Sequence, residues 1–349
     1  MPNASADCRW EIIPVELPLR QPLRTAKGDI HHRQLWLLRL QRGEIQGWGE
    51  ASPLPGFGGE APKLCLAALG KIPGQARSAY DYASAIASTC PAAASAIRGA
   101  LADASARAAG LPLARHLAAA CALRPCTRLR LSLLLEQPDP EAALSAFAAG
   151  WRVFKWKSSG DIVADAAAAR ALRATLGPDA GLRLDANGRW SVDDCRRFAE
   201  LSAEVQLDWV EQPLAPGKEA DLAELTSCKL RVALDESLHG LDAVSSAAQQ
   251  YWAEVFIWKY QWLGGFPALR AGLRLAQGHH PRRVVLSSTL DSWVGRSHAL
   301  HAAAALGLDA EAHGLATGHL LAKDLGPDHA LNGHWQLGDG PGLGGDPQL

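Results

Sequence analysis

The sequence predicts an α/β protein whose larger part is a parallel barrel of the TIM type and whose first part is a separate α+β domain. Three observations lead there. From about residue 127 short apolar runs alternate with amphipathic helical stretches, before that point three β-like runs precede alanine-rich segments, and the later runs close on charged residues. The chain has 349 residues, 48% of them hydrophobic and 20% charged, which suits about two compact domains.

In order along the chain, CRWEIIPVEL, RQLWLLRLQ and EIQGWGEASP read as three strands separated by turn-rich stretches, as in an antiparallel sheet. Helical spacing follows around residues 61–70, 80–89 and 92–122, where alanine richness signals close helix packing and nothing functional. Residues 1–126 form this first domain. Over residues 127–317 the runs LRLSLLLE, VFKWK, GLRLDANG, LDWVEQ, RVALDES, VFIWKY, RRVVLSS and a weak EAHGL alternate with helical candidates such as DIVADAAAARALRATLG, SVDDCRRFAELSA and GFPALRAGLRLAQGH. Eight such units predict the barrel. The glycine- and proline-rich tail, 318–349, leaves that rhythm and is expected to pack back on the first domain or fray.

Composition narrows the function. A net charge of -1 with both signs interspersed excludes the basic footprint of a nucleic-acid binder or a membrane-surface protein, so a small-molecule partner is expected. The seven cysteines are scattered without C-x2-C spacing, and MPNASADCRWEIIP lacks a basic start followed by an apolar run. No stretch approaches the ~20 apolar residues of a membrane span. We expect reduced thiols, a cytoplasmic location and a monomer or small homo-oligomer.

Barrel active sites lie at the C-terminal ends of the strands. Here the second strand closes on Lys155 and Lys157, the third on Asp185 and Asn187, the fourth on Glu211, the fifth on Asp235 and Glu236, and the sixth on Lys259. Side chains two apart share a face, which groups Lys155 with Lys157 and Arg183 with Asp185 and Asn187, and turns Trp156 outward. A single one of these groups is more often a hydrogen-bonded surface residue. Six charged ones in the order Lys155, Lys157, Asp185, Glu211, Asp235 and Lys259, on five successive strand ends, are not, because unpaired buried charge is costly. Asp185, Glu211 and Asp235 offer oxygen donors from three strands, the chemistry Mg²⁺ requires. Such a cation stabilises the enediolate formed when a proton is removed next to a carboxylate. Desolvation, Lys155 and the metal are expected to lower the pKa of Lys157 from ~10.4 so that it can act as base.

Other polar residues carry plainer readings. His298 and His301 on an alanine-rich helix, and His279 and His280 before the seventh strand, have no metal role. Glu236 should face away from Asp235 unless the strand end bends. Gly264 and Gly265 read first as a tight loop and second as a backbone contact to substrate.

FKWK, LDANGRW, DWVEQPL, ALDESL and IWKYQWLGG resemble the barrel motifs of the muconate-lactonizing branch of the enolase superfamily, and GWGEASPLPGFGGE with LSSTLDSWVG resembles the o-succinylbenzoate synthase family within it. The resemblance covers nearly the whole chain. It implies a modified TIM barrel, (β/α)7β, under an N-terminal α+β capping domain. A lysine base beside Mg²⁺ is the established pattern of enolase-superfamily sites, a general precedent that the strand-end residues match.

The resemblance further implies that Asp185, Glu211 and Asp235 bind Mg²⁺. Lys157 would remove the proton α to the ring carboxylate of 2-succinyl-6-hydroxy-2,4-cyclohexadiene-1-carboxylate and then assist loss of the hydroxyl from the same face. Lys259 would stabilise the enediolate, Ser287 and Ser288 would face the succinyl chain, and the loops at residues 25–28 and 54–57 would close the mouth. The product would be 2-succinylbenzoate, in menaquinone or phylloquinone biosynthesis. Ser287 and Lys259 stand where mandelate-racemase-like members carry His and Asp, and HGLATGH stands where dipeptide epimerases carry Asp-x-Asp. A two-base racemase or epimerase of the branch, and an idle barrel kept as a scaffold, are the alternatives.

Overall fold

A computed structural model describes residues 7–25, 28–54, 59–250, 252–278 and 280–349. The first domain opens with β1 (Arg9–Thr25), β2 (Gly28–Arg42) and β3 (Ile45–Ala51), an antiparallel sheet in that order. β2 reads LWLLRL because both its faces are covered. Trp36, Leu38 and Leu40 pack under the helices of the same domain, while Leu35 and Leu37 pack toward the barrel's last helix and the tail.

Four helices follow: α1 (Pro62–Leu69), α2 (Ala76–Ile86), α3 (Pro91–Ala108) and α4 (Leu113–Ala119). The expected continuous helical stretch over 92–122 is corrected. Gly110, at φ +65°, ends α3, and Pro112 precedes the restart at α4. Alanine on α3 and glycine on β3 let the two approach closely, for a Cβ at Gly49 would lie 2.0 Å from the Ala96 carbonyl oxygen.

The barrel's first strand is one run interrupted at Ser132, giving β4 (Arg128–Leu131) and β5 (Leu133–Leu135). Then come α5 (Pro140–Ala148), β6 (Val153–Lys157), α6 (Ile162–Leu176), β7 (Gly181–Asp185), α7 (Val192–Leu201) and β8 (Trp209–Glu211). A 3-10 helix (Glu219–Leu225) fills the next helical place, where the sequence offers no strong helical pattern. β9 (Val232–Leu234), α8 (Gly240–Ala248), β10 (Val255–Lys259), α9 (Phe266–Ala276), β11 (Arg283–Ser287), α10 (Trp293–Ala305) and β12 (Ala312–His313) complete the series.

Strands β5 to β11 form one parallel sheet in sequence order. β12 closes the ring, pairing with β4 and reaching β11 through the Gly314 N–H to the Leu286 carbonyl at 2.8 Å. The weak final strand is therefore real, and the fold is the expected (β/α)7β barrel. In the tail, β13 (His334–Gln336) pairs antiparallel with β4. The last residues bind the first domain, with Gly342 accepting from Leu113 N–H at 2.7 Å and Asp346 accepting from Trp48 Nε1 at 3.0 Å. Among the described residues no helix is long and apolar enough to cross a membrane.

Inward-facing side chains change character along each strand. Trp209, Ala233, Ile257 and Val285 pack together in the interior, and two residues further on stand Glu211, Asp235, Lys259 and Ser287. The apolar layer excludes water from below, so the charged layer can be served only from the mouth.

Three histidines, His298, His301 and His313, are buried for structural reasons, and a fourth, His329, is half-buried. His298 Nε2 meets the Trp48 carbonyl at 2.8 Å, His301 Nδ1 accepts from Ala114 N–H at 3.1 Å, and His313 Nδ1 accepts from Leu286 N–H at 3.0 Å. Burial pushes their pKa values down, His298 and His313 to about 4, His301 to about 3, and His329 likewise to about 4. A histidine whose folded pKa is depressed contributes stability that is complete above its unfolded value of ~6.5 and is lost as pH falls through the folded value. Glu50 and Asp103, pushed by burial up to about 6 each, and Glu60, also raised, act in the opposite sense, but their shifts span less of this pH range than those of the four imidazoles. Glu211 and Asp235 are raised as well, which is why the test is made in saturating Mg²⁺. We expect the urea midpoint of Mg²⁺-saturated protein to fall between pH 7 and pH 5. A rising midpoint would contradict the assignment of neutral buried imidazoles.

Candidate active site

β6, β7 and β8 are in register so that Lys157 pairs with Asp185 and Asp185 with Glu211. This register sets the strand-end residues side by side. Asp185, Glu211 and Asp235 are each buried, and two ammonium groups serve them. Lys155 Nζ lies 2.9 Å from Asp185 Oδ2 and also contacts Glu211 Oε1, while Lys259 Nζ binds both oxygens of Asp235. The structure thus brings five of the expected groups together.

The electrostatics follow from burial and crowding. Burial raises the Glu211 carboxyl, Lys155 opposes this, and the neighbouring Asp185 and Asp235 add to it, leaving Glu211 at about 7. Asp185 would also be raised by burial, but Lys155 and Lys157 pull it below the usual carboxylate range. Asp235 stays raised because burial outweighs Lys259. Burial works against the Lys155 ammonium, yet Asp185, Glu211 and Asp235 together hold it firmly protonated. Three buried carboxylates thus face two buried ammonium groups, an excess of negative charge that favours a further cation.

The donor set is oxygen only, which suits a hard divalent cation. A second observation agrees: Glu236 Oε2 is buried with no hydrogen-bond partner. Among the described residues, no three acidic, imidazole or thiol groups stand in a ready metal cage, since the carboxylates are turned to the lysines. Admitting a cation requires those ammonium groups to yield part of their contacts.

Lys157 differs from Lys259. It is exposed at the mouth and donates to Asn187 Oδ1 at 3.2 Å. The desolvation expected to prepare it as a base is therefore absent from this arrangement. Lys259 is buried, and its Nζ lies 4.4 Å from the centre of the Trp262 ring. Asn187 sits at φ +48° and also donates to Glu236 Oε1 at 3.1 Å. The bend after β9 has therefore turned Glu236 into the site.

The remaining expected residues lie elsewhere. Arg183 points to the barrel base, bound to Asp208 at 3.2 Å and to the Ala312 carbonyl at 2.6 Å, with its guanidinium 3.9 Å from the Trp209 ring. Its side chain also lines the small interior space shared by Lys155, Glu211 and Ser287, which leaves it beneath the carboxylates as a supporting charge. Gly264 and Gly265, at φ +86° and +94°, make the tight loop, and the Gly264 carbonyl accepts from Arg98 of α3 at 2.7 Å, so they face the first domain and not the carboxylates. Ser287 lines a residual interior space of about 10 Å³ with Lys155 and Glu211, whereas the Ser288 hydroxyl donates to Asp291 at 3.2 Å. Residues 25–28 and 54–57 lie outside the described residues, apart from the backbone of Thr25 and Gly28 and the buried Leu54. His279 is also outside them.

Two supporting groups are not evident from the sequence. Gln212 Oε1 accepts from the backbone N–H of Asp235 at 2.9 Å and so fixes that carboxylate's strand end. Ser158, beside Lys157, is held by Asp165 and by Trp190 Nε1 at 3.1 Å. Only their positions next to Glu211 and Lys157 point to them. A cavity of about 390 Å³ opens between α7 and the 3-10 helix, lined by Trp190, Arg196, Lys218 and Glu224, away from every one of these groups. Geometry and charge outweigh size here, so the strand-end cluster is the candidate site.

The enolase C-terminal domain-like family model matches residues 139–348, and the mandelate racemase/muconate lactonizing enzyme N-terminal domain model matches residues 9–117. The chain belongs to the enolase superfamily. Within the superfamily it is 32% identical over 306 residues to the o-succinylbenzoate synthase of Thermosynechococcus vestitus, covering 84% of this chain and 88% of that one. The muconate lactonizing enzyme of Pseudomonas fluorescens superposes with a TM-score of 0.86 at 24% identity, covering 98% of this chain and 96% of that one, a likeness of fold alone. The dipeptide epimerase of Methylococcus capsulatus, solved with Mg and the dipeptide L-Arg-D-Lys, superposes with a TM-score of 0.85 at 27% identity over 97% of this chain and 99% of that one. An o-succinylbenzoate synthase and a dipeptide epimerase are thus both among the proteins it resembles.

Proposed function

We propose that the chain is a Mg²⁺-dependent o-succinylbenzoate synthase, converting 2-succinyl-6-hydroxy-2,4-cyclohexadiene-1-carboxylate to 2-succinylbenzoate and water, in menaquinone or phylloquinone biosynthesis. The observation that carries this reading is the inequality of the two lysines. Lys259 is buried against Asp235 and Trp262, while Lys157 stands at the mouth with Asn187 as its amide partner. One base at the mouth facing a buried, ion-paired ammonium group suits chemistry in which only Lys157 moves a proton, and suits a two-base exchange less well. The identity to the Thermosynechococcus enzyme supports the same choice.

Asp185, Glu211 and Asp235 would hold Mg²⁺, which supplies positive charge to the substrate carboxylate as the α-proton leaves. Lys157, as free amine, takes that proton to Nζ, and the electron pair of the broken C–H bond passes into the enediolate. The enediolate re-forms the carboxylate and expels the ring hydroxyl, to which Lys157 returns the proton as water departs. Lys259 keeps its own proton throughout and offsets the developing charge. Asn187 orients Lys157. Aromatisation makes the step favourable overall, so the residues need only lower the barrier. The partner is a small carboxylate, and seven free thiols suit a reducing, cytoplasmic setting.

The second reading, an N-succinylamino acid racemase or dipeptide epimerase, is favoured by the likeness to the Methylococcus capsulatus enzyme. Incubation in D₂O with N-succinyl amino acids and dipeptides separates the two. We expect no α-deuterium in the recovered amino-acid derivatives; rapid exchange with epimerisation would replace the dehydratase reading by this one.

A further inference from the structure

A second buried polar cluster joins the first domain to the loop after β11, and the chemistry above does not use it. Its centre is Glu50, at the end of β3 and 2% exposed. The carboxylate crosses to the barrel, where Oε1 accepts from the Ser292 N–H at 3.0 Å and Oε2 from the Gly295 N–H at 2.9 Å; the hydroxyls of Ser292 and Ser52 also donate to it. Ser292 is the N-cap of α10, so a carboxylate of one domain satisfies helix N–H groups of the other. A Cβ at Gly295 would lie 2.7 Å from Glu50 Oε1, so this approach requires glycine there.

The link continues toward the chemistry. Gln261, two residues after Lys259, accepts from the Ser52 N–H at 2.7 Å and donates to Asp291 Oδ1 at 2.9 Å. Arg33 donates to the carbonyls of Ser52 at 3.1 Å and Pro53 at 3.3 Å. Further along, a Cβ at Gly59 would lie 3.4 Å from Nε1 of Trp262, the ring that faces Lys259. Residues 52–54 and 59 of the first domain are thereby tied to the loop that follows Lys259.

We propose that Glu50 is a positioning residue: its carboxylate clamps the first domain to the N-terminus of α10 and, with Gln261, holds Ser52 and Gly59 against the loop that follows Lys259, so that Lys259 and Trp262 keep the positions substrate binding needs. The substrate used to test it rests on the dehydratase reading; the clamp does not. In Glu50→Gln the carboxamide sets N–H donors against the N–H donors of α10. We expect KM to rise by about tenfold or more, as loss of hydrogen bonds to a buried charge implies, with kcat changed less. Mg²⁺ affinity by calorimetry should be unchanged, and amide exchange should speed up at Ser292 and Gly295. If Glu50→Gln does not fold, Gln261→Ala must show the same KM rise, with faster exchange at Ser52. Unchanged KM, or faster exchange spread evenly over the barrel, overturns the proposal. If the wild-type protein does not turn over the diene, the dehydratase reading falls while local amide exchange still decides whether Glu50 clamps the domains.

Discussion

Lys157→Ala is expected to lower kcat by ~10²–10⁴-fold or more, because one side chain serves first as base and then as acid. The fold should survive. Lys157 is exposed and its hydrogen bond is to Asn187, and the buried Asp185 on which it also acts keeps Lys155 as its counter-ion, so its removal strands no buried charge. Mg²⁺ binding by calorimetry and the thermal midpoint should therefore stay near wild type while turnover of the diene disappears. Lys155→Ala, by contrast, deprives Asp185 and Glu211 of their shared ammonium group and should disturb stability as well. A Lys157→Ala protein that keeps full turnover would remove the base from the account.

Asp235→Ala carries the second large effect. Lys259 is buried and ion-paired to Asp235, and truncation leaves that charge without its ion-pair partner, facing the Trp262 ring and the neighbouring Glu211 carboxylate. Breaking one side of a buried pair typically costs ~3–5 kcal/mol. We expect urea denaturation in chelator to show a loss of that order, with Mg²⁺ binding abolished because one of three oxygen donors is gone. Asp235→Asn should destabilise less, since an amide oxygen still accepts from Lys259. Equal stability of wild type and Asp235→Ala in chelator would mean that the pair contributes nothing to the metal-free fold.

Much of this arrangement is legible in the sequence because strand alternation is strict. Apolar positions such as Ile257 and Val285 place the strand, and two residues later Lys259 and Ser287 must share its inner face. The register of β6, β7 and β8 then needs no further information. Arg183 shows where this reasoning fails: alternation gives its face correctly but not its direction, and Asp208 with the Ala312 carbonyl draws a long side chain to the barrel base. Spacing makes Lys155 a charge acting on Lys157, but its shorter path to Asp185 and Glu211 makes it their counter-ion. Gln212 and Glu50 act through contacts distant in sequence, which no local pattern reports. The break at Gly110 is written in the chain and masked by the alanine-rich residues on either side.

The most direct test of the central claim is conversion of 2-succinyl-6-hydroxy-2,4-cyclohexadiene-1-carboxylate by the purified wild-type protein, followed with Mg²⁺, after chelation, and after Mg²⁺ is restored. A metal-dependent dehydratase predicts 2-succinylbenzoate with Mg²⁺, its loss on chelation and its return on restoration. Absence of the product at saturating Mg²⁺, or undiminished turnover in chelator, would contradict it.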